Sequence, residues 1–290
     1  MKMLSSIVGL AFCTSVALPA ESQEATVEPP VSIASVDDQV PNVLAERFKK
    51  QTKVFGVYVL ATGKTPDHKV LHAANVLAQY LDNDADGKPD NARVVQAMVN
   101  NSATLVMFAT EREAERVIEG LESSEDEDLE ELDTMVLQDL YGEETHPGGA
   151  KEGVFDASYE EVLHLITHAG YASAYPKVFG ERPGTSLCNA MDKARGGRFL
   201  KVPRRYPKNA WYSYDDETCG YGCQATEYIY WGLTTLLGAQ DFDGRKREIG
   251  REWRFTTADE FKTSDPDLYK LLTDEQYAFP TRLPDGKYRP

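Results

Sequence analysis

The chain has 290 residues, of which 41% are hydrophobic and 27% charged, a composition typical of an ordinary globular protein. Its 47 acidic side chains outnumber its 31 lysines and arginines, and the formal net charge is −16. This balance argues against nucleic acid and anionic membrane surfaces as partners, because both bind clustered positive charge.

The N-terminus has the pattern of a secretory signal. Lys2 precedes an uncharged apolar run over residues 4–18, and the small residue Ala20 offers a cleavage position. The run is too short for a membrane span, and the alternative is an ordinary buried helix. We predict a signal peptide over residues 1–20, followed over 21–40 by a mobile leader, and a secreted or extracytoplasmic protein.

The remaining chain combines strand-like and helix-like patterns. β-Branched and aromatic runs predict strands over Lys53–Ala61 and Ala103–Ala109. Helices are predicted from Thr65 as cap to Leu81, from Asn91 as cap to Met98, over Glu111–Leu121, over 159–169 with Gly170 as the end, and over Ala225–Gly238. No linker is visible after residue 40. We therefore predict that residues 41–290 form a single α+β domain, with strands mainly in the N-terminal half.

A histidine pair is the strongest chemical signal in the chain. His164 and His168 are four residues apart and follow Glu160 and Glu161, so a helix would place all four side chains in one stripe. Two histidines at this spacing can chelate one metal ion. Glu227 is the best candidate for a third ligand, because a carboxylate in its apolar segment would need a partner such as a metal ion.

His164-x-x-x-His168 with a glutamate on a later helix resembles the ligand set of zincin metallopeptidases of the gluzincin kind. The order of strand, helix, strand and later active-site helix is also similar to a zincin-like domain. This resemblance implies a zincin-like fold, bound Zn²⁺ and hydrolysis of peptides. In that family the first histidine is followed by a glutamate that acts as the base, whereas this chain has Leu165.

Other side chains near the pair could take over the catalytic roles. Glu161 is the candidate base, with Glu160 close by, and Tyr230 or Tyr228 could stabilise an oxyanion. The alternative role of Glu161 is structural, as the capping-box partner of Ser158 three residues earlier.

The same segment also resembles half of a di-iron carboxylate site, through Glu161-x-x-His164. A complete site needs a second such motif, but the residue three positions after Glu227 is Tyr230.

A second candidate metal site is the acidic stretch of residues 82–90. Oxygen ligands at its positions 1, 3 and 5, a glycine at 6 and an acid at 9 match the start of an EF-hand loop. Position 12 is Arg93 instead of glutamate, so this is not a regular EF-hand. The loop predicts Ca²⁺, with a solvated turn as the alternative. Its candidate ligands are Asp82, Asp84, Asp86 and Asp90.

Three cysteines remain after removal of the signal peptide, and an exported protein can form disulfides. We expect Cys188 to pair with Cys219 or Cys223, while Cys219 and Cys223 could also form a close pair. A zinc ribbon would need a second cysteine pair, which the sequence lacks.

A basic segment interleaved with aromatic residues lies between the two predicted metal-site helices. It could bind an acidic or carbohydrate substrate near the metal, or it could simply be a well-packed loop. Its members are Lys201, Arg204, Arg205, Tyr206, Lys208, Trp211 and Tyr212. Taken together, the sequence predicts an exported zinc-binding protein that acts as a hydrolase on peptides. The alternative is a non-catalytic secreted protein in which zinc or calcium stabilises the fold or a partner surface.

Overall fold

A four-stranded sheet forms the N-terminal half of the protein. The computed structural model describes residues 31–122, 132–149 and 153–290, so the predicted signal peptide lies outside the described residues. The strands, in sheet order, are β1 (Lys50–Val54), β2 (Val57–Ala61), β3 (Thr104–Phe108) and β4 (Leu137–Tyr141). β1 and β2 are antiparallel, whereas β2, β3 and β4 are parallel. With helices before, between and after these strands, the predicted α+β class is confirmed.

The predicted single strand over Lys53–Ala61 is wrong, because this run is a hairpin. Phe55 and Gly56 have φ values of 49° and 88° and form a two-residue turn between β1 and β2. Positive φ at both central positions is the geometry that matches the twist of two antiparallel strands. The apolar run fits either arrangement, so hydrophobicity alone does not reveal the turn.

The chain pairs with the sheet before residue 40, within the last part of the predicted leader. Ala34 pairs with Gln51 through two backbone hydrogen bonds of 2.8 and 2.9 Å, which extends the sheet beyond β1. Val40 is buried in the core on the same side as Phe48. The amino-acid composition of this segment does not predict the pairing, because the contact is made by backbone groups at the edge of the sheet.

Helices cover both faces of the sheet and form the C-terminal half. They are α1 (Asn42–Ala45), α2 (Asp67–Leu81), α3 (Ala92–Asn100), α4 (Glu111–Glu122), α5 (Ser158–Leu165), a π-helical turn (Ile166–Tyr171), α6 (Ala172–Ala174), α7 (Ser186–Ala194), α8 (Tyr221–Leu236), α9 (Arg245–Ile249), α10 (Ala258–Ser264), α11 (Pro266–Leu272) and a 3₁₀ turn (Glu275–Tyr277). Among the described residues, no helix is both long enough and apolar enough to cross a membrane.

The pleat of the strands divides the core into two parts. Val59 and Leu105 point to a large core shared with α2, α3, α5 and α8. Leu60 and Val106 point to the opposite face and pack in a smaller core with α1 and α4. Successive side chains in a strand alternate between faces, so continuous apolar strands are expected where both faces are covered. The larger core positions the two helices that carry the candidate site.

The helix predicted over 159–169 begins one residue earlier, and it does not end at Gly170. Ser158 is not the cap but the first residue of α5, and the Asp156 carboxylate accepts hydrogen bonds from its backbone N–H and its hydroxyl. The capping box with Glu161 is therefore absent. Gly170 does not end the helical path, which continues through the π-helical turn and α6.

We expect Gly170→Ala to destabilise the protein by about 1–3 kcal/mol, as overpacking does in a filled core. A Cβ atom at Gly170 would lie 2.7 Å from Cγ1 of Val94 and 3.0 Å from Cγ of Met98, both on α3. Denaturant unfolding measures the effect. Gly120→Ala on α4 is the control, because its Cβ would meet no atom within 4 Å. An equal or smaller loss of stability in the Gly170 variant would contradict this packing.

Candidate metal centre

His164 lies in α5 with its imidazole buried between carboxylates from two helices. Its Nδ1 atom is 3.3 Å from Oε2 of Glu161, one turn earlier on α5. Its Nε2 atom is 3.6 Å from Oε2 of Glu227 on α8, too far for a good hydrogen bond. Nε2 is fully buried and has no hydrogen-bond partner among the described residues. A buried polar atom without a partner is costly, so this nitrogen points to a missing ligand.

Two carboxylates and this imidazole form a group of the size that a metal ion occupies. One ligand atom from each of Glu160, His164 and Glu227 lies within 4.8 Å of the other two. Glu160 and His164 are four residues apart and share one face of α5, while packing of α8 against α5 brings in Glu227. One imidazole and two carboxylates are ligands that Zn²⁺ accepts, and they also suit other divalent transition metals.

The charges in this group are unbalanced without a cation. Burial, together with Glu227 and Glu161, raises the pKa of Glu160 well above its usual value. Burial favours the neutral form of His164, but Glu227 and Glu161 outweigh it and raise the pKa of the ring well above its usual value. Both raised pKa values are what buried carboxylates without a neutralising cation produce, and a divalent ion would supply that charge.

Two polar side chains from outside the helices hold the carboxylates in place. The Tyr214 hydroxyl donates to Oε1 of Glu227 over 3.1 Å, and Nε2 of Gln138 in β4 donates to Oε2 of Glu161 over 2.6 Å. Hydrogen bonds of this kind orient metal ligands in proteins. Sequence reasoning missed both residues, because neither has a local spacing relationship to the residue it contacts.

The structure places the two predicted catalytic residues around the ring of His164. Glu161 contacts Nδ1 of the ring, whereas Nε2 is directed at Glu227. Glu161 therefore orients the imidazole from the side opposite to Glu227. The ring of Tyr230 packs against the His164 ring at 5.5 Å in an edge-on arrangement. The nearby Tyr230 hydroxyl partly offsets the rise in the pKa of the Glu160 carboxyl.

His168, the other predicted zinc ligand, lies outside the group of Glu160, His164 and Glu227. Its Nδ1 atom is 2.6 Å from Oε2 of Glu181, whose other oxygen accepts a hydrogen bond from the Thr226 hydroxyl. His168 lies in the π-helical turn that follows α5, where regular α-helical spacing does not describe its position relative to His164. Glu160, four residues before His164 in regular helix, joins the group instead.

Three members of the predicted calcium site come together in the loop after α2. Oxygen atoms of Asp82, Asp84 and Asp86 lie within 4.8 Å of one another. Asp90 is outside this group and accepts a hydrogen bond from the backbone N–H of Asn83. Several of these carboxylates also accept backbone N–H groups of the loop itself. Calcium binding by the loop stays a prediction.

Cys219 and Cys223 form the disulfide, while Cys188 is a buried free thiol. The expected pairing of Cys188 with either of them is therefore wrong, and the close pair is correct. The bridge spans the first turn of α8, the helix that carries Glu227 one turn further on.

The chain has no match among protein-family models, and neither a curated protein nor a solved structure is significantly similar to it. The geometry of the site is therefore the basis for assigning a function.

Proposed function

We propose that the protein is an exported zinc-binding protein whose ion is held by Glu160, His164 and Glu227. The observation that carries the proposal is the buried Nε2 atom of His164, which is directed at the carboxylate of Glu227 and has no hydrogen-bond partner in the part of the chain that the structure describes. A divalent cation supplies the partner that this nitrogen lacks and neutralises the two carboxylates. Glu161 orients the His164 imidazole through Nδ1, and Tyr214 orients the Glu227 carboxylate through a hydrogen bond.

Metal-dependent hydrolysis of peptides is the activity that we propose for this centre. A bound zinc ion would act as a Lewis acid and activate water. Three protein ligands leave a coordination position open, as catalytic zinc sites require. His164 and Glu227 remain from the zincin resemblance, although His168 lies outside the proposed ligand set, and with a mixed sheet followed by ligand-bearing helices they support peptides as substrates.

The second candidate function is a non-catalytic metal protein, and Leu165 favours it. This residue stands where a zincin carries its base, and it is buried in the large core. Glu161, the substitute base, is occupied by His164 and Gln138. In this alternative the ion would join α5 to α8 and stabilise the fold or a partner surface.

Export is supported by the signal-like N-terminus and by the Cys219–Cys223 disulfide, which persists in oxidising compartments. We further propose that Ca²⁺ binds Asp82, Asp84 and Asp86, whose oxygens are the ligands that this ion prefers.

We expect purified protein to bind one zinc ion and His164→Ala to bind it roughly 100-fold more weakly or not at all. Loss of residues that only orient ligands already costs about 10–100-fold in affinity, so loss of a ligand should cost at least as much. Elemental analysis and calorimetric titration with Zn²⁺ measure the effect. His168→Ala is the matched control and should retain wild-type affinity, because His168 contacts Glu181 instead. Equal zinc binding by wild type and His164→Ala would refute the proposed centre, and loss of zinc in His168→Ala would refute the ligand set.

A further inference from the structure

Two loops of this acidic protein carry six exposed lysine and arginine side chains, and none of the six makes an ion pair among the described residues. They lie on two neighbouring loops, since both terminal guanidinium nitrogens of Arg254 are 3.4 Å from the carbonyl oxygen of Lys208. We call this the basic surface; its members are Lys201, Arg204, Arg205, Lys208, Arg251 and Arg254.

The loop of residues 196–214, which carries most of the basic surface, is fixed to the protein by a buried arginine. Arg195 is fully buried at the end of α7, and its Nη1 donates to the carbonyl of Phe199 and to Oε1 of Gln224. The Tyr206 hydroxyl also approaches Oε1 of Gln224, at 3.5 Å. The charged side chains therefore project from an anchored backbone, which lowers the entropy lost when they bind a ligand.

The same loop leads from the basic surface to the metal centre. Tyr206, next to Arg205, contacts Gln224 on α8, and Glu227 follows three residues later, about 4.5 Å along the helix axis. Further along the loop, the Tyr214 hydroxyl bonds to the Glu227 carboxylate. The loop that carries most of the basic surface therefore also contacts α8 at Gln224 and at the proposed metal ligand Glu227.

We propose that the basic surface binds an acidic peptide segment and holds it beside the metal centre, so that the substrates are acidic peptides. Guanidinium groups bind carboxylates through paired, charge-assisted hydrogen bonds. Leu200, adjacent to the basic residues, is 61% exposed and offers a contact for an apolar side chain of the same peptide. The inference rests on the proposed function for its catalytic consequence, while the binding itself does not depend on a metal.

The aromatic side chains of the loop favour a peptide over an acidic polysaccharide. Sugars stack on exposed aromatic faces, but the rings of Phe199 and Tyr206 are partly buried and pack edge-on against each other at 5.6 Å. Trp211 is also engaged, since its indole N–H donates to Asp265 over 2.8 Å. Charged groups and an aliphatic side chain are what this surface presents.

The test is fluorescence anisotropy with a fluorescein-labelled, glutamate-rich peptide that contains one leucine, measured on zinc-loaded and chelator-treated protein. We expect binding to both forms, weakened by salt, and a loss of about tenfold or more for the double variant Arg204→Glu/Arg205→Glu. The double variant Lys287→Glu/Arg289→Glu makes the same charge change on the C-terminal tail, whose neighbouring Tyr288 contacts Asp82, and should change affinity less than about twofold.

Equal affinities in the two double variants would overturn the proposal. Binding of alginate, an acidic polysaccharide, in preference to the peptide would overturn it in favour of a carbohydrate ligand. Peptide binding is measured with and without zinc, so a loss of peptide binding would not count against the metal centre. Failure of the metal centre, in turn, would appear in the zinc titration and not in this assay.

Discussion

Replacing Asp156 by asparagine is expected to destabilise the protein by about 1.5–3 kcal/mol, the usual contribution of hydrogen bonds to a charged group. Asp156 is fully buried, and one of its oxygens is 2.6 Å from Nε2 of His72. Its other oxygen accepts hydrogen bonds from the hydroxyl and amide of Ser158 and from the amide of His146. The carboxylate thus joins α2 to the first residue of α5.

The same carboxylate is expected to make stability fall at acid pH. Burial raises the pKa of Asp156, but hydrogen bonding and charge interaction with His72 outweigh it, and the net pKa is lowered. A lowered folded-state pKa contributes stability above the unfolded value of about 3.9, and this contribution is lost as pH falls through the folded value. This loss of stability is expected below about pH 4, and the Asp156→Asn variant should not show it.

Urea unfolding at neutral pH and through the acid range measures both effects. Asp267→Asn is the control, since Asp267 forms a 2.7 Å ion pair with Lys193 in which both side chains are about half exposed. Exposed pairs contribute about 0–1 kcal/mol, so this variant should stay close to wild type. If Asp156→Asn lost as little stability as Asp267→Asn, or if its stability still fell at acid pH as that of wild type does, the contacts of Asp156 would not stabilise the fold.

The elements predicted well from sequence are those with a local physical cause. α2 and α4 have apolar residues at helical spacing, and Asn91 caps α3 by accepting the amide of Val94, as predicted. β3 is buried on every residue, which its continuous apolar run indicates. In each of these cases the information lies within one element.

The errors arose where distant parts of the chain decide the local conformation. The π-helical turn brings Gly170 against Val94 and Met98 of α3, which precede Gly170 by more than 70 residues in the sequence. The proposed ligand set also depends on packing between helices. Residue type and burial cost indicated His164 and Glu227, whereas the grouping of Glu160 with them in place of His168 is visible only in the structure. Tyr214 reaches Glu227 from an irregular loop that has no sequence period.

Zinc is expected to stabilise the folded protein by about 2.7 kcal/mol when the free ion is at 100 times its dissociation constant. Glu160→Gln should abolish most of this gain, because the amide is a poor replacement for a carboxylate ligand. The same variant should be more stable than wild type in the presence of a chelator, since burial and the charges of Glu227 and Glu161 disfavour the ionised carboxyl. A single substitution would then act with opposite signs in the two conditions.

Unfolding with added Zn²⁺ and with chelator separates this prediction from a general effect of removing a buried acid. Glu144 is the matched control, because burial and the nearby Glu161 raise its pKa to about 8 although it lies outside the group of three ligands. Glu144→Gln should leave the zinc-dependent gain in stability as large as in wild type. If Glu160→Gln kept the full gain, Glu160 would not be a ligand of the ion; if Glu144→Gln lost the gain, the effect would belong to any buried acid near the site. Opposite effects in Glu160→Gln, together with an unchanged gain in Glu144→Gln, would assign the ion to Glu160 in the group that it forms with His164 and Glu227.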